Sequence, residues 1–304
     1  MIYVFPDYYK DFRCIASDCR HNCCIGWEID IDSETAKLYR ETKGELGRRL
    51  SENISYEETP HFILAEHDRC PFLNKDNLCD IILNLGEDAL CDICAVHPRF
   101  VNELEERTET GIGLCCEEAA RLILGKKTPS TLEFFGEGDV CDEDLKRRDY
   151  IFEILQDREK SISERVDNML RFCNAGDIPD LRSGVILLLA LERLDEAWTG
   201  IINKLSVPVS KDKEEEFSSF IRPYETEYEQ LLVYFIYRYF VDYGDLAAAF
   251  AAFAFYVIYA AHRAVFLEKG TISFEERVDI VRMFSAETEY SEDNLELIFD
   301  ELSN

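Results

Sequence analysis

The chain has 304 residues, of which 47% are apolar and 12% aromatic, so it can bury sizeable cores and by length form two domains. Its 62 acidic and 33 basic residues give a net charge of −29. A surface this negative repels phosphate backbones and disfavours nucleic-acid binding. It attracts basic partners, such as a lysine-bearing protein.

Four cysteines crowd the start of the chain. They are spaced C-x4-C-x3-C-C over residues 14–24, and Trp27 follows. Such crowding indicates a disulfide framework, a zinc site or an iron–sulfur cluster. The first residues lack the basic start and long apolar run of a secretory signal, so we expect a cytoplasmic protein. Disulfides rarely persist in that reducing compartment, and metal or cluster binding is therefore the favoured interpretation.

Short strands and a helix are predicted between the first and second cysteine groups. Alternating apolar and acidic side chains predict a strand over residues 27–32, and a helix is predicted from Ser33 toward Leu50. A second strand is predicted over residues 61–65. It leads into the second cysteine group, Cys70 and Cys79.

The third cysteine group is Cys91 and Cys94. This C-x-x-C spacing suits a pair of metal ligands, whereas a redox dithiol would need a βαβ context that the sequence does not show. Pro98 should end any helix near residue 96 or 97. Cys116 is predicted to lie at a helix N-terminus, where the helix dipole favours a thiolate.

The distribution of cysteines predicts two domains in a mainly α protein. Ten of the twelve cysteines lie within residues 14–116, and long helical periods dominate after about residue 140. We therefore expect a cysteine-rich α+β module with a few short strands over residues 1–138, and an all-α domain over residues 139–304. The predicted helices of the second domain cover residues 141–157, 161–173, 182–200, 212–241, 244–268, 272–286 and 291–302.

One predicted helix is apolar all round. Residues 246–261 form a run of sixteen residues without a charge, shorter than the roughly 20 residues that span a membrane. The run is thus expected to be the buried centre of the second domain rather than a membrane segment. A neighbouring band of tyrosines is expected to be core as well, or in part to line a pocket for adenine or a lysine chain. Its members are Tyr224, Tyr228, Tyr234, Tyr237, Tyr239 and Tyr243.

The order of these motifs resembles the flagellin lysine N-methylase family and, more loosely, small cysteine-cluster proteins with a CC motif. The matching motifs are C-x4-C-x3-C-C-x2-W, Cys70-Pro71-Phe72-Leu73, Leu78-Cys79, Leu90-Cys91-Asp92 with Cys94, Pro98-Arg99, and Cys116 followed by Ala119-Ala120-Arg121. The resemblance covers residues 8–124 and continues more weakly at residues 231–245. It implies methyl transfer from S-adenosylmethionine to lysine side chains of flagellin, with a cysteine-bound iron–sulfur cluster.

The resemblance also implies a set of ligands. Nine thiols match the family pattern, namely Cys14, Cys19, Cys23, Cys24, Cys70, Cys79, Cys91, Cys94 and Cys116, while Cys115, Cys141 and Cys173 do not. A [4Fe-4S] cluster with one open iron needs three thiolates. We expect these from Cys19, from Cys23 or Cys24, and from one of Cys91, Cys94 and Cys116. Adjacent side chains diverge, so only one of Cys23 and Cys24 is expected to reach a given ion.

Two residues outside the thiols are candidates for binding S-adenosylmethionine, Arg99 and Trp27. The general base that would remove a proton from the lysine ammonium has no signature in the sequence.

Zinc and a different function remain alternatives. Thiolates suit zinc about as well as iron–sulfur clusters. The chain would then be a non-catalytic zinc- or cluster-binding protein with a structural, redox-sensing or partner-binding role.

Overall fold

The computed structural model describes residues 2–136, 143–176 and 178–303. The chain forms two compact units. The cysteine unit comprises residues 13–100, and the helical unit comprises residues 1–12 and 101–304. The predicted boundary between residues 138 and 139 falls outside the described residues and stays a prediction.

The predicted fold class is confirmed, because the protein is mainly helical and its described strands all precede residue 136. The strands are β1 (Ile2–Pro6), β2 (Ile54–Ser55), β3 (His61–Phe62), β4 (Arg99–Glu103), β5 (Arg107–Ile112) and β6 (Leu132–Phe135). The first helices are α1 (Ser33–Glu41), α2 (Gly44–Glu52), α3 (Asp80–Leu85), α4 (Asp92–Val96) and α5 (Glu117–Gly125). They are followed by α6 (Glu143–Leu155), α7 (Ile162–Phe172), α8 (Leu181–Ala190), α9 (Glu196–Leu205), α10 (Lys211–Ile221), α11 (Glu225–Tyr243), α12 (Leu246–Lys269), α13 (Phe274–Glu289) and α14 (Glu292–Leu302).

A four-stranded sheet of order β4-β5-β1-β6 holds the N-terminal strand in the helical unit. Strand β1 runs parallel to β5, with Ile2 opposite Arg107, and antiparallel to β6. The hydroxyl of Tyr237 on α11 lies 3.0 Å from the carbonyl oxygens of both Val4 and Thr110. This buried contact attaches the two central strands to the helices.

Helices α11 and α12 form the core of the helical unit. By length and composition α12 could cross a membrane, but 72% of its most apolar window is buried inside the unit. Its predicted place at the centre of the domain is confirmed. The packing is tight: a Cβ added at Gly184 of α8 would lie 3.0 Å from the Phe253 ring of α12.

The structure divides three of the predicted helices. The helix expected from Ser33 to Leu50 ends at Glu41 and restarts at Gly44, where φ is +79°. The helix expected over residues 182–200 becomes α8 and α9, because the Asp195 side chain caps a new helix at the backbone N–H of Ala197. The helix expected over residues 212–241 becomes α10 and α11, separated by a short 3-10 turn that contains Pro223.

Two other sequence predictions have different outcomes. The strand expected over residues 27–32 is reduced to a single bridge between Asp30 and His61. The end of the helix before Pro98 is confirmed, since α4 stops at Val96.

We expect Arg277→Met to destabilise the helical unit strongly. The Arg277 guanidinium donates two hydrogen bonds, of 2.7 and 2.8 Å, to the buried carboxylate of Glu227. Loss of the arginine leaves that buried charge with only the exposed Lys127 ammonium, 4.0 Å away, at a cost of about 3–5 kcal/mol in the free energy of unfolding. Urea unfolding followed by circular dichroism measures the change. The matched control is Arg48→Gln in an exposed pair, and an equal shift in both variants would contradict the expectation.

We also expect His262 to make the stability of the folded protein depend on pH. The ring accepts a hydrogen bond from Tyr228 at Nδ1 (2.7 Å) and donates from Nε2 to the Arg277 carbonyl (3.2 Å). Burial lowers the pKa of His262 from 6.5 to about 3. The unfolded chain therefore binds a proton that the folded chain does not, and this contribution to stability is lost as the pH falls from 6.5 toward 3.

The measurement compares unfolding of the wild type with that of His262→Gln across this pH range. The variant should lose stability less steeply toward low pH, because its side chain does not titrate. Parallel curves for the two proteins would show that His262 does not supply the pH dependence.

Candidate metal centre

The core of the cysteine unit is built around thiols. Cys70 and Cys91 are buried members of its hydrophobic cluster, and Cys24, Cys79 and Cys94 pack against that cluster. These five cysteines, here called the five-cysteine site, are not in disulfides. Their mutual electrostatic interactions link them as one group, because Cys94 is influenced by Cys24 and Cys70, and Cys70 by Cys79 and Cys91. Thiols from three distant segments thus converge.

Backbone hydrogen bonds bring the first two segments together. The N–H of Cys70 donates to the carbonyl of Cys24 at 2.8 Å. Leu73 forms a bridge with Cys79, and the N–H of Asp80 donates to the carbonyl of Phe72 at 2.8 Å. Cys24, Cys70 and Cys79 are therefore placed by main-chain contacts rather than by flexible side chains.

Arg49 fixes the turns that carry Cys70 and Cys79. Its guanidinium donates to the Asp80 carboxylate at 2.7 Å and to the Pro71 carbonyl at 3.1 Å. Each of these acceptors is adjacent in sequence to one of the two cysteines. One side chain on α2 thus holds both turns.

The segment of Cys91 and Cys94 is attached to α1. The Asp32 carboxylate accepts the N–H of Thr35 at 2.9 Å and the N–H of Asp92 at 3.1 Å. The hydroxyl of Tyr39 donates to the carbonyl of Ala89 at 2.7 Å. These bonds place the start of α4, which follows Cys91 directly.

Burial and backbone N–H donors shift the pKa values of Cys70 and Cys79 in opposite directions. Burial raises the pKa of Cys70 to about 11, although the N–H groups of Phe72 and Leu73 donate to its sulfur. Burial also raises the pKa of Cys79, against the effect of donors from the first turn of α3. These thiols hold their protons until a cation compensates the charge, and the N–H groups then stabilise the thiolates.

Four thiols of this unit form two hydrogen-bonded pairs, Cys91 with Cys94 and Cys23 with Cys24. The Cys94 thiol donates to Cys91, which lowers the pKa of Cys91 and raises that of Cys94. A hydrogen bond from Cys24 lowers the pKa of Cys23 in the same way, and raises that of Cys24. The expectation that only one of Cys23 and Cys24 reaches a given ion stays a prediction; Cys24 packs against the core, whereas Cys23 is exposed.

The spacing of the five sulfurs is wide. Thiolates around one tetrahedral zinc ion lie about 3.8 Å apart, because each Zn–S bond is about 2.3 Å long. Within the described residues, no three cysteine sulfurs lie within 4.8 Å of one another. No three of these sulfurs therefore have the mutual separation of ligands around one zinc ion.

Other predicted residues of the cysteine unit lie around this site. The Trp27 indole donates to the Cys23 carbonyl at 2.6 Å, and its ring lies 5.9 Å from that of His97. Burial lowers the pKa of His97 to about 4, so its imidazole is neutral at pH 7. Arg99 is half-buried and begins β4.

Three matched thiols of this unit lie outside the five-cysteine site. Cys14 is exposed, and its sulfur accepts the N–H of Ala16 at 3.4 Å, while Cys23 is exposed and Cys19 is half-buried. The assignment of all three as ligands stays a prediction.

The remaining cysteines belong to the helical unit. Cys116 is the N-cap residue of α5, as the sequence indicated, and its role as a ligand stays a prediction. Cys115 is hydrogen-bonded to Tyr290, and burial raises the pKa of Cys115. Cys173 is buried after α7, where desolvation raises its pKa to about 12. Cys141 lies outside the described residues.

Sequence reasoning missed a buried polar group in the helical unit. Tyr234 and Tyr239 both donate to Oε2 of Glu289 at 2.9 Å, and Arg238 lies 3.1 Å from the same oxygen. The other oxygen, Oε1, is buried without a hydrogen-bond partner. The tyrosine band contained a signal for this group, since buried hydroxyls require acceptors, but the acceptor lies about fifty residues later in the chain.

Comparisons with known proteins connect the chain to lysine methylation. Residues 185–304 match the sequence model of the FliB lysine N-methylase C-terminal domain. A lysine-N-methylase of Salmonella choleraesuis (strain SC-B67) is 29% identical over 133 residues, and so is one of Salmonella typhimurium (strain LT2). Each match covers 39% of this chain but 31% of the relative.

A third relative is matched over a larger share of its own length. The flagellar biosynthetic protein FliU of Salmonella muenchen is 28% identical over 126 residues, which covers 39% of this chain and 75% of that protein. No solved structure matches the chain. The domain match and these relatives agree with the cysteine motifs of the N-terminal part, and they confirm that the chain resembles the FliB lysine N-methylase family.

Proposed function

We propose that the protein is an S-adenosylmethionine-dependent lysine N-methyltransferase that acts on flagellin and holds a [4Fe-4S] cluster. The observation that carries the proposal is the convergence of five thiols in the core of a chain that resembles the FliB family. The printed names of two relatives supply the reaction, lysine N-methylation, and that of a third supplies the flagellar context.

The donor set fits an iron–sulfur cluster. Cys24, Cys70, Cys79, Cys91 and Cys94 offer soft sulfur ligands, which iron–sulfur clusters and zinc both accept. The wide spacing of the sulfurs favours the larger group. Five thiols also exceed the three that a cluster with one open iron needs, so alternative ligand sets are available without Cys14, Cys19 or Cys116.

The chain contributes four physical effects to the reaction. When bound, a cluster with an open iron supplies a site for the amino and carboxyl groups of the methionine moiety. The hydrophobic core around the thiols excludes water. Backbone N–H groups at Cys70 and Cys79 stabilise the thiolates. The net charge of −29 attracts the lysine-bearing substrate, and Trp27 and Arg99 are the residues proposed to contact S-adenosylmethionine.

Methyl transfer also requires a free amine. The lysine nitrogen attacks the methyl carbon as the carbon–sulfur bond of the sulfonium breaks, so the ammonium first gives up a proton to a base.

The alternative function is that of a non-catalytic zinc or cluster protein with a structural, redox-sensing or partner-binding role. The chain spans about a third of the length of the two curated lysine-N-methylases that it matches. In either case we propose a cytoplasmic location, where thiols stay reduced.

We expect protein purified without oxygen to be brown and to contain about four irons and four sulfides per chain. Cys70→Ser and Cys91→Ser should each lose most of the iron, because both sulfurs are buried in the site. The control is Cys173→Ser, which removes a buried thiol of the helical unit and should leave the iron content unchanged. Elemental and sulfide analysis measures the iron and sulfide content. Colourless protein with one zinc per chain would contradict the cluster.

We expect the cluster-loaded protein to methylate flagellin from the same source. With S-adenosylmethionine present, intact-mass spectrometry should show increments of roughly 14 Da on lysine residues. Cys91→Ser protein without the cluster is the negative control. If flagellin gains no mass while cluster and S-adenosylmethionine are both bound, the substrate assignment is wrong.

A further inference from the structure

We propose that Glu28, Asp30 and His61 form a divalent-cation site of their own, apart from the five-cysteine site. One carboxylate oxygen of each acidic residue and one ring nitrogen of the histidine all lie within 4.8 Å of one another. No other group of three such side chains comes as close among the residues described. The set combines oxygen and imidazole donors and contains no thiol.

The backbone fixes two of the three donors opposite each other. Asp30 and His61 form an antiparallel bridge. The flanking bonds run from the N–H of Ile31 to the Pro60 carbonyl (2.7 Å) and from the N–H of Phe62 to the Ile29 carbonyl (3.1 Å). Asp30 and His61 are thus a non-hydrogen-bonded pair, the arrangement in which facing side chains are closest.

Alternation along the extended segment adds the third donor. Glu28 precedes Asp30 by two residues and so lies on the same face. The intervening side chains anchor the segment, because Ile29, Ile31 and Phe62 are each 2% exposed in the core of the cysteine unit. The donors therefore project from a backbone that is held rigidly underneath them.

The histidine ring is set for a ligand at Nε2. Its Nδ1 lies 2.9 Å from the carbonyl oxygen of Thr59, which can only accept a hydrogen bond. The neutral ring therefore carries its proton on Nδ1 and its lone pair on Nε2. A backbone carbonyl on the second nitrogen is the arrangement that orients metal-binding histidines.

Charge favours occupation by a cation. Within residues 2–136, 143–176 and 178–303, neither Glu28 nor Asp30 has an ion pair with lysine or arginine, and His61 is 3.9 Å from Glu28. The two carboxylates carry a local negative charge that a divalent ion compensates. Carboxylate and imidazole together suit borderline or hard ions such as Mn²⁺, which thiolates bind poorly.

Mn²⁺ binding to the cluster-loaded full chain tests the site without interference from the thiols. Electron paramagnetic resonance measures free Mn²⁺ during a titration, and one saturable ion per chain is expected. His61→Gln and Asp30→Asn should each weaken binding about tenfold or more. The matched control is Glu34→Gln, an exposed carboxylate of the same unit, which should bind Mn²⁺ as the wild type does.

A third variant distinguishes loss of Mn²⁺ binding from loss of folding. Glu28→Gln changes an exposed side chain, so it should keep the iron content and circular dichroism spectrum of the wild type and still weaken Mn²⁺ binding. Mn²⁺ should also raise the melting temperature of the wild type more than that of Glu28→Gln. The proposal is overturned if the wild type binds no Mn²⁺ at millimolar concentration, or if these variants and the Glu34→Gln control bind it equally well.

Discussion

The hydrogen bond from the N–H of Cys70 to the carbonyl of Cys24 is the contact on which the metal site depends. It joins the CC motif to a segment almost fifty residues later. Without it the unit would hold thiols in separate turns, each too small to enclose an inorganic group. Arg49, Asp32 and Tyr39 extend the same principle, since each fixes the backbone next to a cysteine and leaves the sulfur for its ligand.

The two units bury polar groups in different ways. The helical unit buries charges as closed pairs, such as Arg277 with Glu227, whose geometry satisfies both partners. The cysteine unit buries thiols whose charge is not compensated within the protein, and their pKa values rise as a result. A cation bound at the candidate metal centre would compensate the thiolate charge, as we propose.

Local signals in the sequence predicted most of the fold. Capping residues, the apolar run of α12 and Pro98 act over a few residues, so fold class, the central helix and the end of α4 could be inferred. The breaks at Thr42 and Asp195 could not, because tertiary contacts and local capping override the helical period there.

For the site, spacing identified the thiols but not which ones share a core. Cys24 shows why: the turn that carries it toward the core is set by backbone contacts with residues 68–70. The family resemblance was carried by N-terminal motifs, whereas the domain match covers residues 185–304, where helix packing leaves few short motifs to recognise.

The course of the chain through the sheet has a consequence for synthesis on the ribosome. Strand β1 pairs with β5, yet the whole cysteine unit lies between them in sequence. Strand β1 cannot pair with its parallel neighbour β5 until about a hundred further residues have been synthesised. The inserted unit is complete by then, so it can fold first. The sheet of the helical unit would thus close only after the inserted unit has folded.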